Sequence, residues 1–98
     1  MWAGDTIKIG FNAPLTGFAA SDGESSTFGA KLAVQQINDN GGINGKKLEL
    51  VIYDDQANAA QSIPIANKMI GQDNVVVGIS GSYSAPTRSA AGIFQEAK

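Results

Sequence analysis

The sequence predicts an α/β fold: a three-layer open parallel sheet built from three βα units, with helices on both faces. Three observations carry this. Strand-like and helix-like apolar patterns alternate three times along the 98 residues, with no linker, repeat or low-complexity segment between them. The last strand pattern, Val75-Val76-Val77-Gly78-Ile79, is the β-branched run expected of a parallel strand covered on both faces. Glycine or hydroxyl clusters punctuate the passage from strand to helix or helix to strand. Right-handed crossovers between such units favour strand order 2-1-3, with the first strand central.

The first strand runs from Ile7 to Ala13, with Ile7, Ile9 and Phe11 on one face. A polar loop from Pro14 to Gly23 leads to a helix of roughly four turns, Glu24 to Asn40. Ala30, Ala33, Val34 and Ile37 form its core stripe, and Phe28 and Leu32 form a second apolar surface that asks for a cover. Gly41-Gly42 ends the helix, and Asn44-Gly45 adds a tight turn before the second strand, Leu48 to Asp54. The stripe Ala59, Ile63, Ala66 and Ile70 predicts the second helix. Pro64 inside it means that the helix either begins near Ser62 or bends. After the third strand, Ala90, Ile93, Phe94 and Ala97 mark the third helix, with Ser84 placed as its N-cap and Pro86 in its first turn.

Composition excludes several classes of function. A formal charge of −2 with scattered lysines offers no basic patch for nucleic acid. No apolar run approaches the ~20 residues that span a bilayer. Met1-Trp2-Ala3-Gly4-Asp5 has no basic region followed by a hydrophobic stretch, so no signal peptide is read there. Histidine is absent, which removes the commonest general base and metal ligand, and so is cysteine.

Motifs with chemistry of their own are weak. Gly78-Ile79-Ser80-Gly81-Ser82 departs from a nucleophile elbow at its fifth residue, and no histidine stands ready to activate Ser80. Asn12-Ala13-Pro14-Leu15-Thr16-Gly17 lacks both the dinucleotide and the phosphate-loop glycine patterns. Asp54 and Asp55 end the second strand where a magnesium site would want acids after the first and third, so their expected role is to cap or tie neighbouring loops. What remains is the loop Gly81 to Ser84, between the carboxyl end of a strand and the amino end of a helix. Open α/β sheets bind ligands there, and free helix N–H groups favour an anion.

One stretch is specific to a family. Ala33-x-x-x-Ile37-Asn38-x-x-Gly41-Gly42-Ile43-x-Gly45-x-x-Leu48, with Tyr53-Asp54-Asp55 and Ala66-Asn67-Lys68, resembles type I periplasmic solute-binding proteins of the branched-chain amino acid (leucine, isoleucine, valine) importers. The likeness covers Ile7 to Lys98. It implies that residues 1–98 are a single partial domain, the amino-terminal part of the first of two lobes that close on a ligand. It also implies a non-enzymatic, periplasmic or extracytoplasmic protein, without cofactor or metal, that hands an amino acid to an ABC permease. Carried over residue by residue, the ligand carboxylate falls to Ser82, with Tyr83 and Ser84 beside it, and Asp22 stands where some relatives place an aromatic residue. A carboxylate at that point would shift ligand choice, for instance toward a cation. A receptor ectodomain of the same fold and an autonomous flavodoxin-like domain are the alternative readings.

Two expectations concern the 98-residue chain alone. One wall of a cleft should bind free amino acids weakly or not at all. In a 2-1-3 sheet the third strand is an edge written for an interior, without a protecting lysine or proline. It should therefore homodimerise, by pairing third strands or by exchanging an element such as the last helix.

Overall fold

The computed structural model describes residues 6–80 and 83–97. Its elements alternate as expected: β1 (Ile7–Ala13), α1 (Ala20–Asp39), β2 (Leu48–Asp54), α2 (Ala59–Gly71), β3 (Val77–Ile79) and α3 (Ser84–Ala97). The strands form one sheet in the order β2-β1-β3. Both pairings are parallel. β1 and β2 match the sequence expectation residue for residue, and they stay in register from Ile7↔Leu48 to Ala13↔Asp54.

Helix placement follows from which side chains the sheet presents. Gly10 lies against the Met69 side chain of α2, and its register partner Gly78 lies against the Phe94 ring of α3. The face carrying both glycines therefore belongs to α2 and α3, which also pack on each other. Glycine here leaves room for a large neighbour, and Met69 is fully buried. Phe11 and Ala13, on the opposite face, are buried with α1 packed against β1 and β2.

α1 starts four residues earlier than expected, at Ala20, and no side chain caps it. Its buried residues are Gly23 and Thr27, whereas Ala33 is exposed and Ile37 is 37% exposed. The stripe of alanine and isoleucine thus gives way to a small-residue face, because the first turn runs tightly over the β1 exit. A Cβ on Gly23 would stand 1.7 Å from the Pro14 carbonyl oxygen. Phe28 and Leu32 are exposed, as a surface in need of a cover should be.

The α1–β2 connection explains the motif that marked the family. Gly42 holds φ +76°, and a Cβ there would meet the Lys46 carbonyl oxygen at 2.0 Å, so only glycine fits. Asn44 and Gly45 also take positive φ, and Ile43 bridges to Lys46. Asn38 reaches back from the last turn of α1. Its Nδ2 donates to the Leu48 carbonyl at 3.0 Å, and its Oδ1 accepts the Leu48 N–H at 2.8 Å.

α2 is helical through Pro64 from a cap at Asn58, whose Oδ1 accepts the Ala60 N–H at 2.8 Å. Ser62, Ala66 and Met69 face inward, while Ile63 of the expected stripe is exposed. At the far end of this helix the Tyr53 hydroxyl donates to Asp73, and Lys68 sits 5.9 Å over the Tyr53 ring. Burial, reinforced by the bond to Asp73 and by its charge, pushes the Tyr53 phenol well above its ordinary range.

The third unit departs most from its pattern. Only Val77–Ile79 forms a strand, and Val76, Val77 and Ile79 are exposed rather than interior. Val77 and Ile79 are left about half exposed on the α1 side of the sheet, and β3 pairs on one side only. A groove of about 290 Å³ runs beside it, lined by Ile70, Val75, Val76, Val77 and Phe94 among others. α3 begins at Ser84 itself, one residue before the N-cap expectation would allow, and Pro86 is buried in its first turn.

Candidate functional site

β1 and β2 end side by side, and their exits are tied together by two aspartates. Asp54 Oδ1 accepts the N–H groups of Leu15, Thr16 and Gln56 at 2.9, 3.3 and 3.0 Å, and its Oδ2 accepts the Thr16 hydroxyl at 2.6 Å. Burial pushes the Asp54 carboxyl up, but the bonds from the Thr16 hydroxyl and the Leu15, Gln56 and Thr16 amides outweigh it and hold the group below its ordinary range. Asp55 is buried, with Oδ2 accepting from the Asn12 side chain at 2.7 Å and Oδ1 from the Ala57 N–H at 2.9 Å. Both carboxylates thus tie loops, as their position suggested.

This brace sets the path of the β1–α1 loop. Ala19 is buried, and Phe18 beside it is left 82% exposed. One turn into α1, the exposed Asp22 accepts a 2.8 Å hydrogen bond from the Tyr83 hydroxyl, across 61 residues of sequence. The Phe18 and Tyr83 rings meet edge to face, with centroids 5.8 Å apart and planes at 85°. The bond to Asp22, with desolvation and the carboxylate charge behind it, raises the Tyr83 phenol above its ordinary range. The Tyr83 backbone carbonyl accepts from the Thr87 hydroxyl at 2.9 Å, and Ser80 and Thr87 hydroxyls lie 3.0 Å apart.

Of the four residues read from the sequence, two are therefore joined directly: Asp22 and Tyr83. Ser84 opens α3 next to them and is exposed. Ser82 lies outside the described residues. Phe18 was not among the four. Its signal was a large aromatic residue in an otherwise small and polar loop, which is informative only once the loop is known to end at the mouth of the sheet. The cluster sits at the carboxyl ends of β1 and β3, where parallel sheets hold ligands.

A family description, periplasmic binding protein, matches residues 6–98. The chain belongs to the periplasmic binding protein family. Among its relatives is the leucine-, isoleucine-, valine-, threonine- and alanine-binding protein of Pseudomonas aeruginosa, 40% identical over 96% of this chain and 25% of that protein. The structure of the branched-chain amino acid transporter substrate binding protein LivJ from Streptococcus pneumoniae, in complex with isoleucine, superposes with a TM-score of 0.89 at 35% identity. That match covers 94% of this chain and 26% of LivJ. A solute binding protein of an ABC transporter from Rhodopseudomonas palustris BisB5, in complex with 3,4-dihydroxybenzoic acid, superposes with a TM-score of 0.85 at 28% identity, over 94% of this chain and 25% of its own length. The chain thus spans about a quarter of the length of the periplasmic binding proteins it matches. These relatives are solute-binding proteins and not enzymes, and the ligands in the two complexes are isoleucine and an aromatic acid. No helix among the described residues is long and apolar enough to cross a membrane.

Proposed function

We propose that this chain is the amino-terminal part of the first lobe of an extracytoplasmic solute-binding protein, which captures an amino acid or related small polar solute and delivers it to an ABC permease without chemical change. One observation carries the reading beyond family membership: the loops after β1 and β3 meet at the carboxyl end of the sheet through Asp22 and Tyr83. In this reading Ser82, Tyr83 and Ser84 receive the ligand carboxylate at the start of α3, where free N–H groups favour an anion. Asp22 faces the rest of the ligand.

Calorimetry on the full-length protein with a panel of free amino acids tests the proposal. Binding of at least one member is expected, and Ser82→Ala should weaken it about tenfold to a hundredfold, the worth of a hydrogen bond to a charged group. Full affinity in Ser82→Ala, with unchanged melting, would reduce Ser82 to a turn residue. The 98-residue chain by itself should bind the same amino acids weakly or not at all, since it supplies one wall of the pocket.

The open edge supports a second proposal for that isolated chain. β3 is short, exposed and unguarded, so two copies should associate through it or by exchange of α3.

A further inference from the structure

We infer that the solute is selected for a positively charged group, an ammonium or guanidinium remote from its carboxylate. This rests on the amino acid reading of the site and narrows it. Among the described residues the Asp22 carboxylate meets one hydrogen-bond donor, the Tyr83 hydroxyl, and no cation. A carboxylate offers about four acceptor positions, and the Tyr83 hydroxyl fills one of them. It stands in the first turn of that helix, where the dipole favours an anionic side chain. Shutting such a group against an apolar side chain strips its water and returns no partner, which penalises a leucine-like ligand.

The neighbours of Asp22 reinforce the preference. Phe18 and Tyr83 meet edge to face at 5.8 Å, so their rings form a corner beside the carboxylate. Phe18 keeps most of its surface free. Ring faces attract a cation that lies within about 6 Å of their centroids. Aromatic rings would also accept an apolar chain, but an unpaired carboxylate would not. The Tyr83 hydroxyl fixes the carboxylate at the edge of this corner through Oδ2. A ligand cation would therefore meet a charge it can neutralise and a ring it can rest on, in a place supplied by two loops that the sheet holds in register.

The deciding experiment compares matched pairs on the full-length protein by calorimetry: L-lysine against L-norleucine, and L-arginine against L-citrulline. L-norleucine keeps the four-carbon chain of lysine without its ammonium group, and L-citrulline replaces the guanidinium of arginine by a neutral urea of nearly the same shape. The cationic member should bind at least tenfold more tightly in at least one pair, and Asp22→Asn should erase most of that difference while the protein stays folded, with at most a small drop in melting temperature. Equal or tighter binding of the neutral members would overturn the charge preference while leaving amino acid capture intact. A preference that survives Asp22→Asn would remove Asp22 as its source. Failure of all four to bind, with another free amino acid of the panel still bound, defeats this inference alone; failure of the whole panel defeats the functional reading with it.

Discussion

β1, β2 and α1 are tied by side-chain hydrogen bonds at both ends of β2, whereas β3 is joined to β1 on one side by a short ladder, with α3 packed on one face and the Tyr83–Asp22 bond tying its start to α1. In the first region Asn38 fastens the start of β2, and Asp54 and Asp55 fasten its end to the β1 exit. In the second, three register pairs join β3 to β1, and the outer side of the strand is bare. Hydrogen bonds of fixed geometry make a region specific without a neighbour. Apolar contact completes a region only when something covers it. Among the described residues the first half is thus finished within itself and the second leaves its edge unfinished; the chain covers about a quarter of the relatives' length.

Tight backbone approach in the finished half should produce the largest effect. Gly23→Ala places a methyl group 1.7 Å from the Pro14 carbonyl oxygen, so the first turn of α1 or the β1 exit must move. A loss at or above the upper end of about 1–3 kcal/mol is expected. Gly29→Ala, on the same helix with nothing within 4 Å, should instead gain up to about 1 kcal/mol. Urea denaturation of the two variants checks the pair, and similar behaviour would show that α1 is not pinned where it crosses Pro14.

Next comes Asn38→Ala, which strips two bonds from the Leu48 backbone and should cost about 1–3 kcal/mol. Amide exchange should rise first at Leu48 and its neighbours. A uniform rise across the sheet would mean that the two halves open as one.

A smaller, pH-dependent effect belongs to Asp54. Its folded carboxyl titrates below its unfolded value of 3.8, so its contribution is fully present above that pH and is lost as pH falls through the folded value. Stability measured from pH 6 downward should decline below about pH 4, and Asp54→Asn should flatten that part of the curve. Because the group is only half-buried, solvent screening keeps the effect modest. An unchanged acid limb in Asp54→Asn would assign acid sensitivity to other carboxylates.

The smallest change in stability is expected in the unfinished half. Val77→Lys and Ile79→Lys replace exposed side chains and should shift folding by within about 0.5 kcal/mol. Their effect should appear in sedimentation of the 98-residue chain, where self-association should fall. A compact monomer at high micromolar concentration before any substitution would show that the bare edge is tolerated.

Sequence patterns recovered the elements that obey simple periodicity. β1 alternates, β2 is a short apolar run bounded by turn residues, and the strand order follows from handed crossovers, so their bounds and neighbours were legible. α1 was misread at its start because Ala19 and Ala20 carry no capping signal, and on its inner face because Gly23 and Thr27 are chosen for closeness rather than hydrophobicity. The valine run before Ile79 announces a buried strand, yet burial depends on neighbours that the run does not encode. Asp22 and Tyr83 were each marked as site residues through family likeness. Their contact across 61 residues, and the part of Phe18 in it, came only from the folded chain.

The Asn38 side chain has a consequence for how copies of this chain would assemble. Because the Ile7 N–H bonds to the Lys47 carbonyl, strand alternation turns the Leu48 backbone away from β1, toward the free side of β2. Asn38 occupies both of those groups, so the first rung of that edge is already taken by the chain's own side chain. Growth by adding β3 of one molecule to β2 of the next would be open-ended and would build a fibre. Pairing β3 with β3 consumes the reactive edge of both partners and stops. If copies of the chain associate as proposed, one amide placed at a helix end would bias them toward a closed pair and away from a polymer.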